Sequence, residues 1–180
     1  MTKVISVFGS AFIVADSEEY KAAYEVGQVL ARSGYRVMNG GYDGIMGAVS
    51  RGAAEAGGHV IGVTVTQGRQ EAERMPNPYL TERIHYETIR ERLHHLVDHA
   101  DGYIVMPGGI GTLQEVGEAW QLLRLDAPSA RPLIAYGSFW RSILMPLVTS
   151  PYVLPKSAEP VRFAQTPDDV MRHLREFFRS

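Results

Sequence analysis

The sequence GYIVMPGGIGT, residues 102–112, constrains the fold more than any other stretch of the chain. Its first part is rich in aromatic and branched apolar residues, which is typical of a buried strand. The glycines that follow end this strand, and a helix is predicted from there to about Leu125. A strand that enters a helix through a glycine-rich turn is typical of a βαβ unit, so this stretch predicts a parallel sheet.

Further strands and helices alternate on both sides of this stretch. Strands are predicted at residues 4–8, 35–38, 59–65 and 132–136. Helices are predicted at residues 17–32, 43–56, 87–99, 139–148 and 166–178. This alternation predicts an α/β fold, a three-layer doubly wound parallel sheet of the Rossmann-like type. The absence of repeats and composition breaks predicts one domain over residues 1–180.

Two segments lack the pattern of a helix or a strand. Residues 66–78 are polar and contain Gly68, Pro76 and Pro78, and we interpret them as a mobile connection or lid. Residues 151–160 contain three prolines and are expected to be irregular.

Composition excludes several classes of protein. The chain has no cysteine, which excludes disulfides, a thiolate nucleophile and cysteine-ligated metals. Its net charge of −2, without a basic run, disfavours nucleic acid as a partner. No apolar run is long enough for a membrane span or a signal peptide, so a cytoplasmic location is expected. No metal is expected either, because Glu91, His95 and His99 share a helical stripe without a further strong ligand.

Glycines follow three of the strands that lead directly into helices. They are Gly9, which precedes Ser10; Gly40, Gly41 and Gly44; and Gly108, Gly109 and Gly111, which precede Thr112. In parallel sheets, ligands bind beyond the carboxyl ends of the strands, and helix N-termini there favour phosphate. A single turn of this kind is often only a tight connection, but three at one edge predict a phosphate-binding site. The familiar nucleotide fingerprints are absent: Gln114 replaces the third glycine of GxGxxG, and no P-loop occurs.

Two motifs carry a resemblance to a known family. PGGIGTLQE at residues 107–115 resembles the PGGxGTxxE signature of the LOG family of cytokinin-activating phosphoribohydrolases, long mislabelled as lysine decarboxylases. GGYDGIMG at residues 40–47 resembles the GGxxGxMG stretch of the same family. The resemblance implies hydrolysis of the N-glycosidic bond of a nucleoside 5'-monophosphate, AMP or an N6-substituted AMP, without a cofactor.

The resemblance also implies two catalytic residues, Arg92 and Glu115. Read from the sequence alone, Arg92 lies beside a buried helical stripe and needs an anionic partner, either a substrate or a structural carboxylate. Glu115 follows the glycine turn, where the helix field is expected to favour its ionised form. Where the family commonly has a histidine and a lysine, this chain has Arg90 and Leu93.

The remaining site residues are predicted to bind the nucleotide. The phosphate is expected at the amides of residues 108–112, including Ile110, and at the Thr112 hydroxyl. The base and ribose are expected against Gly9, Ser10, Gly41 and Met46, with Gly40 and Gly44 in the same turn region.

Other functions and an assembly state were also considered. A carrier of the molybdenum cofactor has a similar glycine signature and is the alternative to an enzyme, whereas DNA binding of the DprA type is disfavoured by charge. A pyridoxal phosphate enzyme needs a Schiff-base lysine, and Lys3, Lys21 and Lys156 are all poorly placed. Residues 113–125 are apolar on more than one face, from burial or from a subunit interface, and the resemblance favours a homodimer.

Overall fold

The computed structural model describes residues 2–68, 74–125 and 131–179 of the chain. The strands are β1 (Val4–Phe8), β2 (Arg36–Asn39), β3 (Val60–Val65), β4 (Glu82–Tyr86), β5 (Gly102–Val105), β6 (Leu133–Tyr136) and β7 (Val161–Ala164). The helices within these residues are α1 (Glu18–Arg32), α2 (Ile45–Glu55), α3 (Ile89–Asp98), α4 (Ile110–Leu125), α5 (Gly137–Val148), α6 (Pro155–Ala158) and α7 (Pro167–Arg179).

The strands form one sheet in the order β4-β3-β2-β1-β5-β6-β7, and every pair of neighbours is parallel. The chain builds outward from β1 to one edge and then returns to β5, on the other side of β1. The order therefore reverses between β1 and β5, which is where open parallel sheets bind their ligands.

Two apolar layers cover the two faces of the sheet. One layer joins α1, α2 and α7 to side chains such as Ile5 and Val37, and the other joins α3, α4 and α5 to Phe8 and Met38. Residues of one strand point alternately to the two faces, so both layers draw on the same strands. The predicted three-layer doubly wound α/β fold is confirmed.

Sequence reasoning missed the two edge strands of the sheet. β4 has the sequence ERIHY and alternates half-buried with exposed residues, while β7 has only four residues and follows a proline-rich stretch. An edge strand has one unpaired side and needs fewer apolar residues, so its pattern is weak. The expected irregular stretch at residues 151–160 also contains the short helix α6. Residues 69–73 of the predicted lid lie outside the described residues.

Across the described ranges, none of the helices is both long and apolar enough to cross a bilayer.

Helices α1 and α2 approach each other closely through two glycines. A Cβ added at Gly52 would lie 2.0 Å from the carbonyl oxygen of Tyr24, and one at Gly27 would lie 2.2 Å from that of Val49. Both neighbours are backbone atoms, which cannot rotate away. These glycines therefore set the distance between the two helices that lead from β1 and β2.

We predict that Gly52→Ala destabilises the protein, although alanine is the better helix former. Forcing α1 away from α2 costs about 1–3 kcal/mol, which outweighs a helix-propensity gain of about 1 kcal/mol. Gly111→Ala in α4 is the matched control, because no neighbouring atom among the described residues lies within 4 Å of its added Cβ, and we expect it to be neutral or stabilising. Urea unfolding measures both, and equal free energies of unfolding for the two variants would contradict this packing.

Candidate functional site

Ser10 brings the three glycine turns together. Its amide donates to the carbonyl of Pro107 at 3.0 Å, and its carbonyl accepts from the amide of Ile45 at 2.8 Å. These bonds join the end of β1 to the turn after β5 and to the start of α2. The Ser10 hydroxyl accepts from the amide of Phe12 at 3.0 Å, which shapes the loop itself.

A cavity of about 250 Å³ lies where the turns meet. Nine residues singled out from the sequence line it: Gly9, Ser10, Met46, Arg92, Gly109, Ile110, Gly111, Thr112 and Glu115. Four lining residues were missed: Ala11, Phe12, Tyr42 and Arg74. Of these, Tyr42 lies within the glycine-rich motif at residues 40–47, so the motif itself was a signal for it. Arg74 lies within residues 66–78, which the sequence predicted as a mobile connection or lid, whereas no local pattern pointed to Phe12.

The other predicted glycines stand behind the cavity instead of lining it. An added Cβ at Gly40 would lie 1.8 Å from a guanidinium nitrogen of Arg92, and one at Gly108 would lie 2.2 Å from Oγ1 of Thr112. Gly44 has a positive φ of 66° and lies against the carbonyl of Ser10. Gly41 also has a positive φ, and its amide donates to Asn39 at 2.8 Å. Because these glycines have no side chain, neighbouring residues of the protein can pack directly against their backbone.

The N-terminus of α4 presents unused amides to the cavity. Within the described residues, the amides of Gly109, Ile110, Gly111 and Thr112 donate to no protein acceptor. Among the residues that the structure describes, no neighbouring atom lies within 4 Å of a Cβ added at Gly109 or Gly111. Because these N–H groups stand at the positive end of a helix, they form a ready site for an anion.

Arg92 and Glu115 meet inside the cavity. A guanidinium nitrogen of Arg92 lies 3.8 Å from a carboxylate oxygen of Glu115, and the two side chains are only 16% and 12% exposed. The Nε of Arg92 donates to the carbonyl of Val63 at 2.8 Å, which fixes the direction of the side chain. The sequence required an anionic partner for Arg92, and in this structure that partner is Glu115.

A capping box fixes where α3 begins and therefore where Arg92 stands. The Thr88 hydroxyl accepts from the Glu91 amide, and the Glu91 carboxylate accepts from the Thr88 amide. His95, on the next turn, contacts the hydroxyl of Tyr86 at 2.9 Å. Glu91 and His95, which the sequence placed on one stripe, thus have separate contacts. Among the described residues, no group of three or more such side chains is arranged to hold a metal ion.

Burial raises the pKa of Glu115 to about 7, while the positive charge of Arg92 opposes part of that rise. The expected effect of the helix field on Glu115 is therefore outweighed, and the net shift of its pKa is upward. α4 begins at Ile110, so Glu115 stands in the second turn, and the helix field falls off within the first. Desolvation of the carboxylate outweighs the helix field at this position.

Two kinds of comparison relate this chain to known proteins. The family model described as "Possible lysine decarboxylase" matches residues 46–174. A cytokinin riboside 5'-monophosphate phosphoribohydrolase from Mycobacterium tuberculosis is 32% identical over 164 residues, which cover 87% of this chain and 85% of that protein. An enzyme of the same name from Arabidopsis thaliana is 39% identical over 95 residues, which cover 51% of this chain and 41% of that protein.

Among solved structures, the molybdenum cofactor carrier protein from Chlamydomonas reinhardtii superposes with a TM-score of 0.78 at 19% identity, covering 100% of both chains. At that identity, the likeness shows a shared fold. The family model covers most of the chain, and the mycobacterial relative matches nearly its full length. The chain therefore belongs to the LOG family, whose family model still carries the description of a possible lysine decarboxylase.

Proposed function

We propose that this protein hydrolyses the N-glycosidic bond of a nucleoside 5'-monophosphate, AMP or an N6-substituted AMP, to the free base and ribose 5-phosphate. The observation that carries the proposal is the buried contact between Arg92 and Glu115, beside the unused amides of α4. The names of the mycobacterial and plant relatives agree with this reaction.

The N-terminus of α4 suits the 5'-phosphate. Four unused amides and the partial positive charge of the helix end match a phosphate group without a metal ion. Glycine at positions 109 and 111 lets a ligand approach the backbone closely, since the protein itself places nothing there. Thr112 adds a hydroxyl at the same helix end.

Glu115 suits the reacting end of the substrate. Cleavage of the C1'–N bond builds positive charge on the ribose, which an ionised carboxylate in a dry site stabilises. The same carboxylate accepts a proton from the attacking water, whose oxygen bonds to C1'. When the C1'–N bond breaks, its electron pair stays on the base nitrogen, which takes up one proton from solvent, and Glu115 returns the proton that it accepted to solvent. Arg92, held by Val63, keeps the carboxylate in position and contacts the substrate.

The lysines do not fit the decarboxylase description of the family. That activity in its usual form needs a lysine that forms a Schiff base with pyridoxal phosphate. Lys3 pairs with Asp101, Lys21 pairs with Glu18, and Lys156 lies in α6. None of them lines the cavity that the described residues form between the glycine turns.

We further propose that the protein is a homodimer in the cytoplasm. One face of α4 is buried through Val116 and Leu123, yet Leu113 on the same helix is 46% exposed. Through Trp120, α4 also lines a groove of about 400 Å³ whose walls include the exposed side chains of Leu147 and Leu154. Exposed apolar side chains gathered in one groove support an interaction site.

We predict that Glu115→Gln lowers the rate of base release from AMP by at least about 100-fold, because the amide cannot stabilise positive charge or accept a proton. Free base is measured by chromatography. Glu118→Gln, an exposed neighbour on α4, is the matched control and should retain activity. Unchanged release by Glu115→Gln would remove Glu115 from the reaction, and no release by the unaltered protein from any nucleoside monophosphate would overturn the function.

We predict that kcat/KM for AMP, corrected for ionisation of the substrate phosphate, rises with pH up to about 7 and then levels. The reason is that the ionised form of Glu115 is the active one and burial raises its pKa in the free protein to about 7. Carbon-13 NMR of the glutamate carboxyls in the free protein, with Glu115→Gln to assign the signal, measures the same pKa directly. An ordinary carboxyl pKa near 4.3, or a corrected kcat/KM that is flat from pH 5 upward, would contradict the buried carboxylate.

We predict that the protein scatters light as twice its chain mass of 20.0 kDa and that Leu154→Glu shifts it to the single chain. Leu154 is 71% exposed, so a charge there disrupts contact with a partner without disturbing the core. Val14→Glu, at a residue 76% exposed outside the groove, is the control. A 20.0 kDa species at every concentration of the unaltered protein would exclude the dimer.

A further inference from the structure

A large aromatic side chain at the cavity is left largely uncovered by the protein. Phe12 is 76% exposed, although it lines the cavity beside Ser10. Its backbone is held, because the Phe12 amide donates to the hydroxyl of Ser10 at 3.0 Å. The ring therefore has a fixed attachment close to the unused amides of α4, and its faces remain available for contact.

One face of this ring carries the guanidinium of Arg74. The central guanidinium carbon of Arg74 lies 4.7 Å from the centroid of Phe12. Arg74 belongs to the segment before β4, and Asn77 ties that segment to the second glycine turn. The Asn77 amide donates to the Gly41 carbonyl at 2.9 Å, and its side chain donates to the Tyr42 carbonyl at 3.0 Å. Asn77 is 4% exposed, so the base of this segment is firmly packed.

The size of the cavity places the base of a nucleotide near Phe12. Ligand pockets generally enclose about 300–1000 Å³, whereas this one encloses about 250 Å³. With the phosphate at the amides of α4 and the ribose at Glu115, the last group of the nucleotide extends to the mouth of the cavity. That group is the base, which is flat and aromatic.

We infer that Phe12 and Arg74 form a stacking clamp for the base, an inference that rests on the function proposed above. The base stacks on the face of Phe12 that the guanidinium now covers, and Arg74 moves outward to cover the far side of the base. A guanidinium is planar and stacks on aromatic faces as a base does, so one surface accepts either group. The guanidinium moves by about 3.5 Å, the thickness of a stacked ring, which a long side chain accommodates.

A stacking clamp of this kind predicts which class of nucleotide the protein prefers. Stacking recognises a flat aromatic surface and reads none of the hydrogen-bonding edges of the base. Purine monophosphates are therefore preferred over pyrimidine monophosphates for their larger face. An N6 substituent is tolerated because it extends from the edge of the ring, away from both stacking faces.

Binding to two ligands tests the clamp separately from catalysis. The dissociation constants of AMP and of ribose 5-phosphate, which lacks the base, are measured by calorimetry in the Glu115→Gln background to prevent turnover. Phe12→Ala should weaken AMP by about tenfold or more and leave ribose 5-phosphate unchanged. Phe12→Trp should restore AMP binding, since it keeps an aromatic face. Unchanged AMP affinity in Phe12→Ala, or equal weakening of both ligands, would overturn the inference.

Arg74→Ala tests whether Arg74 covers the far side of the base, and Arg141→Ala is its matched control. Arg141 makes the same kind of contact with Phe163, at 5.1 Å, and does not line this cavity. Arg74→Ala should weaken AMP by several-fold, less than Phe12→Ala, and Arg141→Ala should have no effect. Tighter AMP binding in Arg74→Ala would show that the arginine only competes with the base, and would remove it from the clamp.

The two proposals fail in different ways. If AMP affinity depends on Phe12 while the unaltered protein releases no base from any monophosphate, the proposed hydrolysis fails and the clamp stands. If hydrolysis of AMP proceeds with an unchanged KM in Phe12→Ala, the clamp fails and the hydrolysis stands.

Discussion

Two backbone hydrogen bonds of Ser10 hold the site together. The carboxyl ends of β1 and β5 are neighbours because the strand order reverses there, but sheet pairing alone does not fix the turns beyond them. The Ser10 amide donates to the carbonyl of Pro107, and the Ser10 carbonyl accepts from the amide of Ile45. The turn after β1 is therefore hydrogen-bonded to both of the other turns. Buried backbone groups need such partners, and the convergence of the turns is therefore a requirement of folding as much as of binding.

The contact between Arg92 and Glu115 is buried, which costs stability but places both charged groups inside the cavity. Burial of two charges is offset only in part by their attraction. At 3.8 Å the pair is loose, and the pKa of Glu115 stays raised to about 7. A closer pair with full hydrogen bonding would keep the carboxylate ionised, and its oxygens would be engaged by Arg92 instead of being available to a substrate. In the looser arrangement the pKa of Glu115 stays close to neutral pH. A group with such a pKa is well suited to proton transfer.

The sequence predicted the structure best at residues whose role in the fold is visible in the local pattern. The strands at the centre of the sheet are buried on both faces and have continuous apolar runs, whereas β4 needs only half of its residues inside. The glycine motifs likewise contain many of the residues that line the cavity, although Gly40, Gly41, Gly44 and Gly108 stand behind it. Arg74 lies at the cavity because Asn77 ties its segment to Gly41, and Phe12 lies there because its amide bonds to the hydroxyl of Ser10. No local spacing reports the contact between these two distant residues. The charge state of Glu115 depends on three-dimensional burial for the same reason.

The glycines of the two motifs are of two kinds: some are required by packing within the protein, and others are not. Gly40 and Gly108 make room for Arg92 and Thr112, so packing alone accounts for them. Among the described residues, no neighbouring atom lies within 4 Å of a Cβ added at Gly109 or Gly111, and neither has a positive φ, so packing does not require them. Gly111 lies within α4, where its poor helix propensity is a net cost unless a ligand comes close. The poor helix propensity of Gly111 is thus in keeping with the anion site that we propose at this helix end, beside Arg92 and Glu115.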